Sequence, residues 1–282
     1  MKLIAIDMDG TLLSSESKIS LENKKAIIEA QDAGYIVMIC SGRSHDHLLT
    51  YLEEEGISVP VSGSNGAVTY VDNKIIHEAP MSFEVAGTLF NWLEEKKQPF
   101  KIFTNKGTFC QNEFLSRAKE AFVSFDEQET LNRMTLDFFF ENQKKQSLVP
   151  ISNFEEMGTE KDLFVFKYYV YTPDESVKNS TQEWLSSREG ISFASSWADN
   201  IEIMSTHGNK GTGITQIAEY YHIPLENAFA IGDNYNDLPM MTAAGNSIAM
   251  GNAEPEIKAL CDYVTLSNDE DGVAYAIRRW LL

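Results

Sequence analysis

The sequence predicts an α/β fold in which a parallel sheet covered by helices is interrupted by an inserted α+β module. Three observations carry this reading. Short apolar runs alternate with helical stretches at both ends of the chain, the rhythm of strand–helix–strand units. Polar clusters rich in Asp, Ser, Gly and Asn follow the apolar runs directly. The composition then changes in the middle, where 15 of the 16 phenylalanines lie between Phe83 and Phe193, together with Trp92, Trp184 and Trp197, so a separately packed aromatic core is expected there.

Leu3 to Ile6 reads as a short buried strand. Ser20 has the chemistry of a helix cap, for a helix running to about Ala33 with Gly34 at its C-terminal end. Tyr35 to Cys40 is the next strand, a helix covers His45 to Glu55, and "VPVSG" follows as a third strand. Asp72 and Asn73 place a hairpin turn within "SNGAVTYVDNKIIHEA". In the aromatic region "FEVAGTLFNWLEEKK" has helical spacing, while "LDFFFE" and "LFVFKYYVYT" have the residues of sheet strands. From about Lys210 the first rhythm returns: a helix to Tyr221, strand "AFAIG", a helix around Asp237 to Ala244, strand "NSIAMG", a helix, strand "YVTL" and a final helix.

At 282 residues and 43% hydrophobic content the chain can fill one large core or two ordinary ones. With 23 Lys and Arg against 42 Asp and Glu its formal net charge is −19, which repels nucleic acid and anionic membranes, so neither is an expected partner. An anionic small molecule would need a local cation, a lysine or converging backbone N–H groups. Cys40, Cys110 and Cys261 lack metal-ligand spacing and are too few for a disulfide framework, which fits free thiols in a reducing compartment. The apolar start is broken by Asp7 and Asp9 before a signal-peptide core is complete, and no stretch approaches the ~20 apolar residues of a membrane span; a cytoplasmic protein is expected. His45, His47, His77, His207 and His222 show no zinc-type pairing.

Ligands of an open parallel sheet bind beyond the carboxyl ends of its strands. Four polar clusters fall at such ends: "DMDGT", "SGR", "SNGA" and "GDNYND". Asp7 and Asp9 are two positions apart, which in an extended segment aims both carboxylates the same way and into one shared site. A like-charged pair needs a cation between its members or a proton on one of them. Bound Mg²⁺ would keep Asp7 ionised as a nucleophile while Asp9 traded a proton with a leaving alcohol. Asp233 and Asp237 add carboxylates at another strand end, and Gly10 permits the turn. Ser41 with the Gly42 N–H, and Lys210, are donors that a transferring phosphoryl group requires. Each piece alone is ordinary: Asp-Gly and Asn65-Gly66 are common turns, "SGR" is a common helix start, and Lys210 could be a solvated lysine. Their co-occurrence in order at strand ends favours the functional reading.

In that order "DMDGT", "SGR", Lys210 and "GDNYND" resemble the four motifs of haloacid dehalogenase-like phosphatases, and "SNGA", "NKG", "GDNYNDLPM" and "AMGNAEPEIKALCDYVT" resemble the Cof-type, subclass IIB members. The resemblance implies a Rossmann-like core over residues 1–82 and 207–282, with a C2-type cap over 83–206 that closes during turnover on hinges near Pro80 to Ser82 and Ser205 to Gly208. It further implies that Asp7 is the nucleophile and Asp9 the acid and base. Mg²⁺ would be held by Asp7, the Asp9 main-chain carbonyl and Asp233. Phosphate would be held at Met8, Ser41, Gly42, Lys210 and Asn236, with Asp237 supporting the metal shell or Lys210. A small phosphorylated metabolite, such as a sugar phosphate or a phosphorylated flavin precursor, is the expected partner of a monomer or homodimer. A phosphomutase on the same architecture would need basic cap residues for a second phosphate; residues 83–206 hold 13 Lys and Arg against 20 Asp and Glu, which favours hydrolysis. A silent phosphometabolite-binding protein would need a damaged site, and every motif residue is present. "FTNKGTF", "KYYVY" and "SSWADN" are candidate substrate-facing stretches that could equally be core or loop.

Overall fold

The structure, a computed structural model, describes residues 1–125, 147–195 and 199–282. The chain divides into two units, Met1–Ala79 with His207–Leu282, and Pro80–Thr206. The "LDFFFE" run and Trp197 lie outside the described residues.

The first unit opens with β1 (Leu3–Asp7), α1 (Leu21–Asp32), β2 (Ile36–Cys40), α2 (His45–Glu54), β3 (Val61–Gly63), β4 (Val68–Val71) and β5 (Lys74–Glu78). The Ser20 hydroxyl accepts the Asn23 N–H at 3.0 Å, the N-terminal capping bond its sequence position predicts. Asp72 and Asn73 both take positive φ, 48° and 63°, as a tight two-residue hairpin turn demands.

The second unit contributes α3 (Phe83–Glu95), β6 (Phe100–Thr104), β7 (Gly107–Gln111), α4 (Phe114–Phe125), β8 (Leu148–Ile151), β9 (Val165–Tyr171), α5 (Glu175–Ser186), β10 (Ile191–Ala194) and β11 (Asn200–Ser205). Its strands form a sheet in the order β10-β11-β9-β6-β7-β8, antiparallel except where β7 meets β8. Phe90 and Leu93 of α3 and Leu185 of α5 pack on one face against Phe100, Ile102, Tyr168 and Val170, and Trp92 stacks on Trp184 with centroids 4.1 Å apart. The alternate positions are polar yet buried: Lys167 of the "KYYVY" stretch pairs with Glu202 at 3.0 Å. Burial and then Lys167 push Lys101 down to about 7.

The chain then returns to the first unit with α6 (Lys210–Tyr220), β12 (Ala228–Gly232), α7 (Leu238–Ala243), β13 (Asn246–Ala249), α8 (Pro255–Leu260), β14 (Tyr263–Val264) and α9 (Gly272–Ala276). The resulting eight-stranded sheet runs β14-β13-β12-β1-β2-β3-β4-β5. It is parallel from β14 to β3, and β4 and β5 extend it as an antiparallel edge. The predicted parallel sheet is thus a mixed one, because the turns at Ser64–Gly66 after β3 and at Asp72-Asn73 after β4 are both too short for the crossover that parallel pairing needs. Strand alternation divides its core in two. Ile4 and Ile6 face α1, α2 and α9, while Leu3 and Ala5 face α6, α7 and α8. No helix among the described residues is long and apolar enough to cross a membrane.

Buried Asn23 joins the two segments of this unit: its Oδ1 accepts the Ala274 N–H at 2.9 Å and its Nδ2 donates to the Leu12 carbonyl at 3.5 Å. Asn23→Leu keeps the branched heavy-atom shape but leaves the Ala274 N–H unsatisfied, and should cost about 1–3 kcal/mol. The urea midpoint checks this; an unchanged midpoint would show that the bridge adds nothing.

Candidate active site

β1 sits where the strand order reverses, with β2 on one side and β12 on the other, so the crevice beyond its carboxyl end is the place for a ligand. Asp7 is the last residue of β1 and is 4% exposed. The chain turns at once: the Leu12 N–H returns to the Asp7 carbonyl at 3.2 Å and the Leu13 N–H to the Met8 carbonyl at 2.9 Å. Gly10 takes φ +84°, and a Cβ there would lie 2.5 Å from Asp233 Oδ2. Glycine therefore serves both the turn and the close approach of the strand end after β12. The Thr11 hydroxyl donates to Asp233 Oδ1 at 2.8 Å, which fixes the two ends together.

Lys210 is the first residue of α6, a helix capped by Asn209, whose Oδ1 accepts the Thr212 N–H at 3.0 Å. Its Nζ lies 2.5 Å from both Asp7 Oδ1 and Asp237 Oδ1, and the side chain is fully buried. Asp237 uses its other oxygen to accept the Asp233 and Asn234 N–H groups at 2.9 and 3.0 Å. Burial works against the Lys210 charge, but Asp237 and Asp7 outweigh it and hold the ammonium well above the ordinary lysine range. Asp7 moves the same way for a different reason. Burial raises it first, Asp237 and Asp233 add repulsion, and Lys210 only partly offsets them. Asp233 is pushed up to about 6, by burial and then by Asp237. One ammonium thus serves three buried or half-buried carboxylates, and the deficit of positive charge falls on Asp7 and Asp233.

Asp9 departs from expectation. β1 ends at Asp7, so the two-residue alternation does not extend to Asp9, which is not part of the Asp7, Asp233 and Asp237 cluster. Its half-exposed carboxylate is held instead by Arg43, with Nε and Nη2 donating to its two oxygens at 3.0 and 2.6 Å. Asp7 is grouped with Asp233 and Asp237, three carboxylates whose oxygens lie within 4.8 Å of one another. Ser41 follows β2 at the same end of the sheet; its buried hydroxyl accepts the Arg43 N–H at 3.2 Å, and Gly42 stands beside it. Met8 is fully buried in the turn. The Asn236 amide, in the loop after β12, donates to Asn65 Oδ1 at 3.4 Å. Arg43, Thr11, Asn65 and Asn209 join the site although the sequence reading gave them no role. Arg43 and Thr11 stand inside "SGR" and "DMDGT", but only their cross-chain partners show what they hold.

The chemistry of the donor set fits a hard divalent cation. Asp7 and Asp233 bring carboxylate oxygens within 4.8 Å of each other, and both resist ionisation on their own. Carboxylate oxygens gathered at this spacing are the ligands that Mg²⁺ or Ca²⁺ takes.

A family model described as haloacid dehalogenase-like hydrolase matches residues 4–277. The chain is 34% identical over 287 residues to phosphatase YwpJ of Bacillus subtilis, with 100% of both chains covered. It is 33% identical over 288 residues to the 5-amino-6-(5-phospho-D-ribitylamino)uracil phosphatase YwtE of the same organism, covering 100% of this chain and 98% of that one. A solved haloacid dehalogenase-like hydrolase from B. subtilis superimposes with a TM-score of 0.87 at 30% identity, over 100% of both chains. The subclass IIB sugar phosphatase BT4131 shares the fold, with a TM-score of 0.80 at 23% identity over 99% of each chain. With its strand ends, its buried lysine and nearly its whole length accounted for in this way, the chain belongs to the haloacid dehalogenase-like hydrolases.

Proposed function

We propose that this protein is a Mg²⁺-dependent phosphatase of small phosphorylated metabolites working through an aspartyl-phosphate. The observation that carries the reading is Lys210 Nζ held between Asp7 and Asp237 at the switch point of the sheet, where Asp233 also arrives. Phosphatase chemistry is supported by the named relatives, and a phosphorylated ribityl pyrimidine by the name of one of them, while sugar phosphates rest on the family resemblance.

Asp7, the Asp9 main-chain carbonyl and Asp233 would hold the metal, which when bound supplies charge neutralisation for the incoming phosphoryl group. Asp7 attacks phosphorus through a carboxylate oxygen, forming the O–P bond as the ester P–O bond breaks. Asp9 gives its proton to the departing alkoxide. In the second half Asp9 takes a proton from water as the water oxygen attacks phosphorus, the Asp7 O–P bond breaks and phosphate leaves. Arg43 must yield its two-point hold on Asp9 for either transfer. Ser41, the backbone at Met8 and Gly42, Lys210 and Asn236 would bind the phosphoryl oxygens, with Asp237 keeping Lys210 in place. This local positive set is how a chain of net charge −19 accepts a dianion.

Asp7→Asn should lower turnover of phosphate monoesters by about 10³-fold or more with folding intact. Asp9→Asn should retain acid-stable label from ³²P-substrate on the protein after quenching, while Asp7→Asn takes up none. Retained turnover in Asp7→Asn would end this mechanism. A panel of phosphorylated metabolites with Mg²⁺, ranked by kcat/KM, should identify a preferred class among sugar phosphates and phosphoribityl compounds.

Asp233 yields a pH prediction. Its carboxyl, ordinarily near 3.8, titrates at about 6 when the protein is folded and metal-free. A raised native pKa means that folding is penalised as pH climbs from about 4 to 6, with the full cost present above that window. Asp233→Asn keeps an acceptor for Thr11 and should stabilise the metal-free protein at pH 8 by about 1–2 kcal/mol while changing little at pH 4. Mg²⁺-supported turnover should fall in the same variant. Thermal melts at both pH values, in chelator, decide the matter; destabilisation at pH 8 would contradict it.

A further inference from the structure

The loop "SNG" between β3 and β4 has the sequence of an ordinary turn, but its backbone is not ordinary. Ser64, Asn65 and Gly66 take φ of 51°, 57° and 94° in succession. Serine and asparagine in the left-handed region cost free energy that glycine would avoid, so two such residues side by side persist only where the surroundings hold them. Both side chains are 1% exposed, so neither is a solvated turn residue. Buried strain of this kind is found at functional sites, and the loop's contacts show which parts of the site it touches.

Each residue meets a different segment. The Ser64 N–H donates to the Arg43 carbonyl at 2.7 Å, and the Asn65 N–H donates to the Ser41 carbonyl at 2.9 Å. Asn65 Oδ1 accepts the Asn236 amide. At Gly66 a Cβ would run into the carbonyl of Asn209, immediately before Lys210. Three left-handed residues therefore abut the segment after β2, the start of α6 and the loop after β12, which carry Ser41, Lys210 and Asn236.

We propose that Ser64–Gly66 is the positioning element of the phosphate site, with the left-handed backbone setting the Ser41 segment and the Asn65 amide setting Asn236. Asn65 acts through these neighbours and is a positioning residue, not a catalytic one. The proposal rests on the phosphatase reading for its consequence, since the groups it sets are those that would hold the phosphoryl oxygens. The strain then has a use: relaxing it would free the chain but loosen the donors, and a displacement of about 1 Å at such donors costs on the order of 10²-fold.

Asn65→Gly separates positioning from stability, because glycine adopts this backbone without strain and keeps both N–H bonds of the loop while losing the amide. The variant is expected to melt no lower than the wild type, yet to bind inorganic phosphate about 10-fold more weakly and to lose about 10- to 100-fold in kcat/KM. In a double-mutant cycle with Asn236→Ala the two losses should be strongly less than additive. Wild-type phosphate affinity and kcat/KM in Asn65→Gly would overturn the proposal, as would an activity loss matched by a lower Tm, or full additivity with Asn236→Ala. Calorimetric binding of inorganic phosphate reads the positioning without turnover. A wild-type protein that bound phosphate but hydrolysed no monoester would therefore refute the phosphatase reading alone, while the Asn65→Gly affinity still decided this one.

Discussion

The site depends on one buried ammonium. Lys210 enters the crevice as the first residue of its helix and meets Asp7 from β1 and Asp237 from the loop after β12, so a single cation joins segments more than two hundred residues apart in sequence. Burying it alone would be prohibitive, and burying three carboxylates without it would be worse. Neither balance closes. Burial first, and then the repulsion that Lys210 only partly offsets, makes Asp7 and Asp233 resist ionisation, and their oxygens are gathered with those of Asp237 closely enough to hold a metal ion.

Around that charge pattern the backbone leaves no slack. Gly10 brings the turn after β1 against Asp233, Gly232 approaches Asp237 so closely that a Cβ would overlap its carboxyl, and Gly66 meets the Asn209 carbonyl. At Gly66 the approach is to backbone, while at Gly10 and Gly232 it is to carboxylates that are themselves held, Asp233 by the Thr11 hydroxyl and Asp237 by Lys210 and two backbone N–H groups. The alternation of β1 supports this: Leu3 and Ala5 on one face and Ile4 and Ile6 on the other anchor the strand in both halves of the core, and Asp7 is held at the end of a segment that cannot shift.

Much of this was legible in the sequence because strand ends in a parallel sheet carry a signature: an apolar run followed at once by polar residues. Asp7, Ser41 and Asp233 announce themselves that way, Asp72-Asn73 announces its hairpin, and Lys210, at a helix start, was legible only as a donor that a phosphoryl group requires. Asp9 did not obey the same logic, since a two-residue period holds only while the strand continues, and the strand ends at Asp7. Arg43 looked like part of a helix start, and its partner lies 34 residues away. The second unit was opaque for a related reason. "KYYVY" gives no sign that Lys167 will be buried, because the Glu202 that makes burial tolerable sits on a neighbouring strand.

The left-handed "SNG" loop shows how a local pattern can be read correctly and still be undervalued. As a turn it needs only a residue tolerant of positive φ, and Asn-Gly supplies that. Burial changes the demand. Once Asn65 is enclosed, its amide must be satisfied by the site itself, and part of that satisfaction comes from Asn236 in the loop that also carries Asp233 and Asp237. The loop then couples the Ser41 segment to the Asp233 segment from outside the charge cluster, while Lys210 couples Asp7 to Asp237 from within it. Two independent ties between the same halves of the chain constrain the crevice more than either alone, because a displacement that relaxes one must strain the other. Reaction chemistry is thereby written into strand ends and turns.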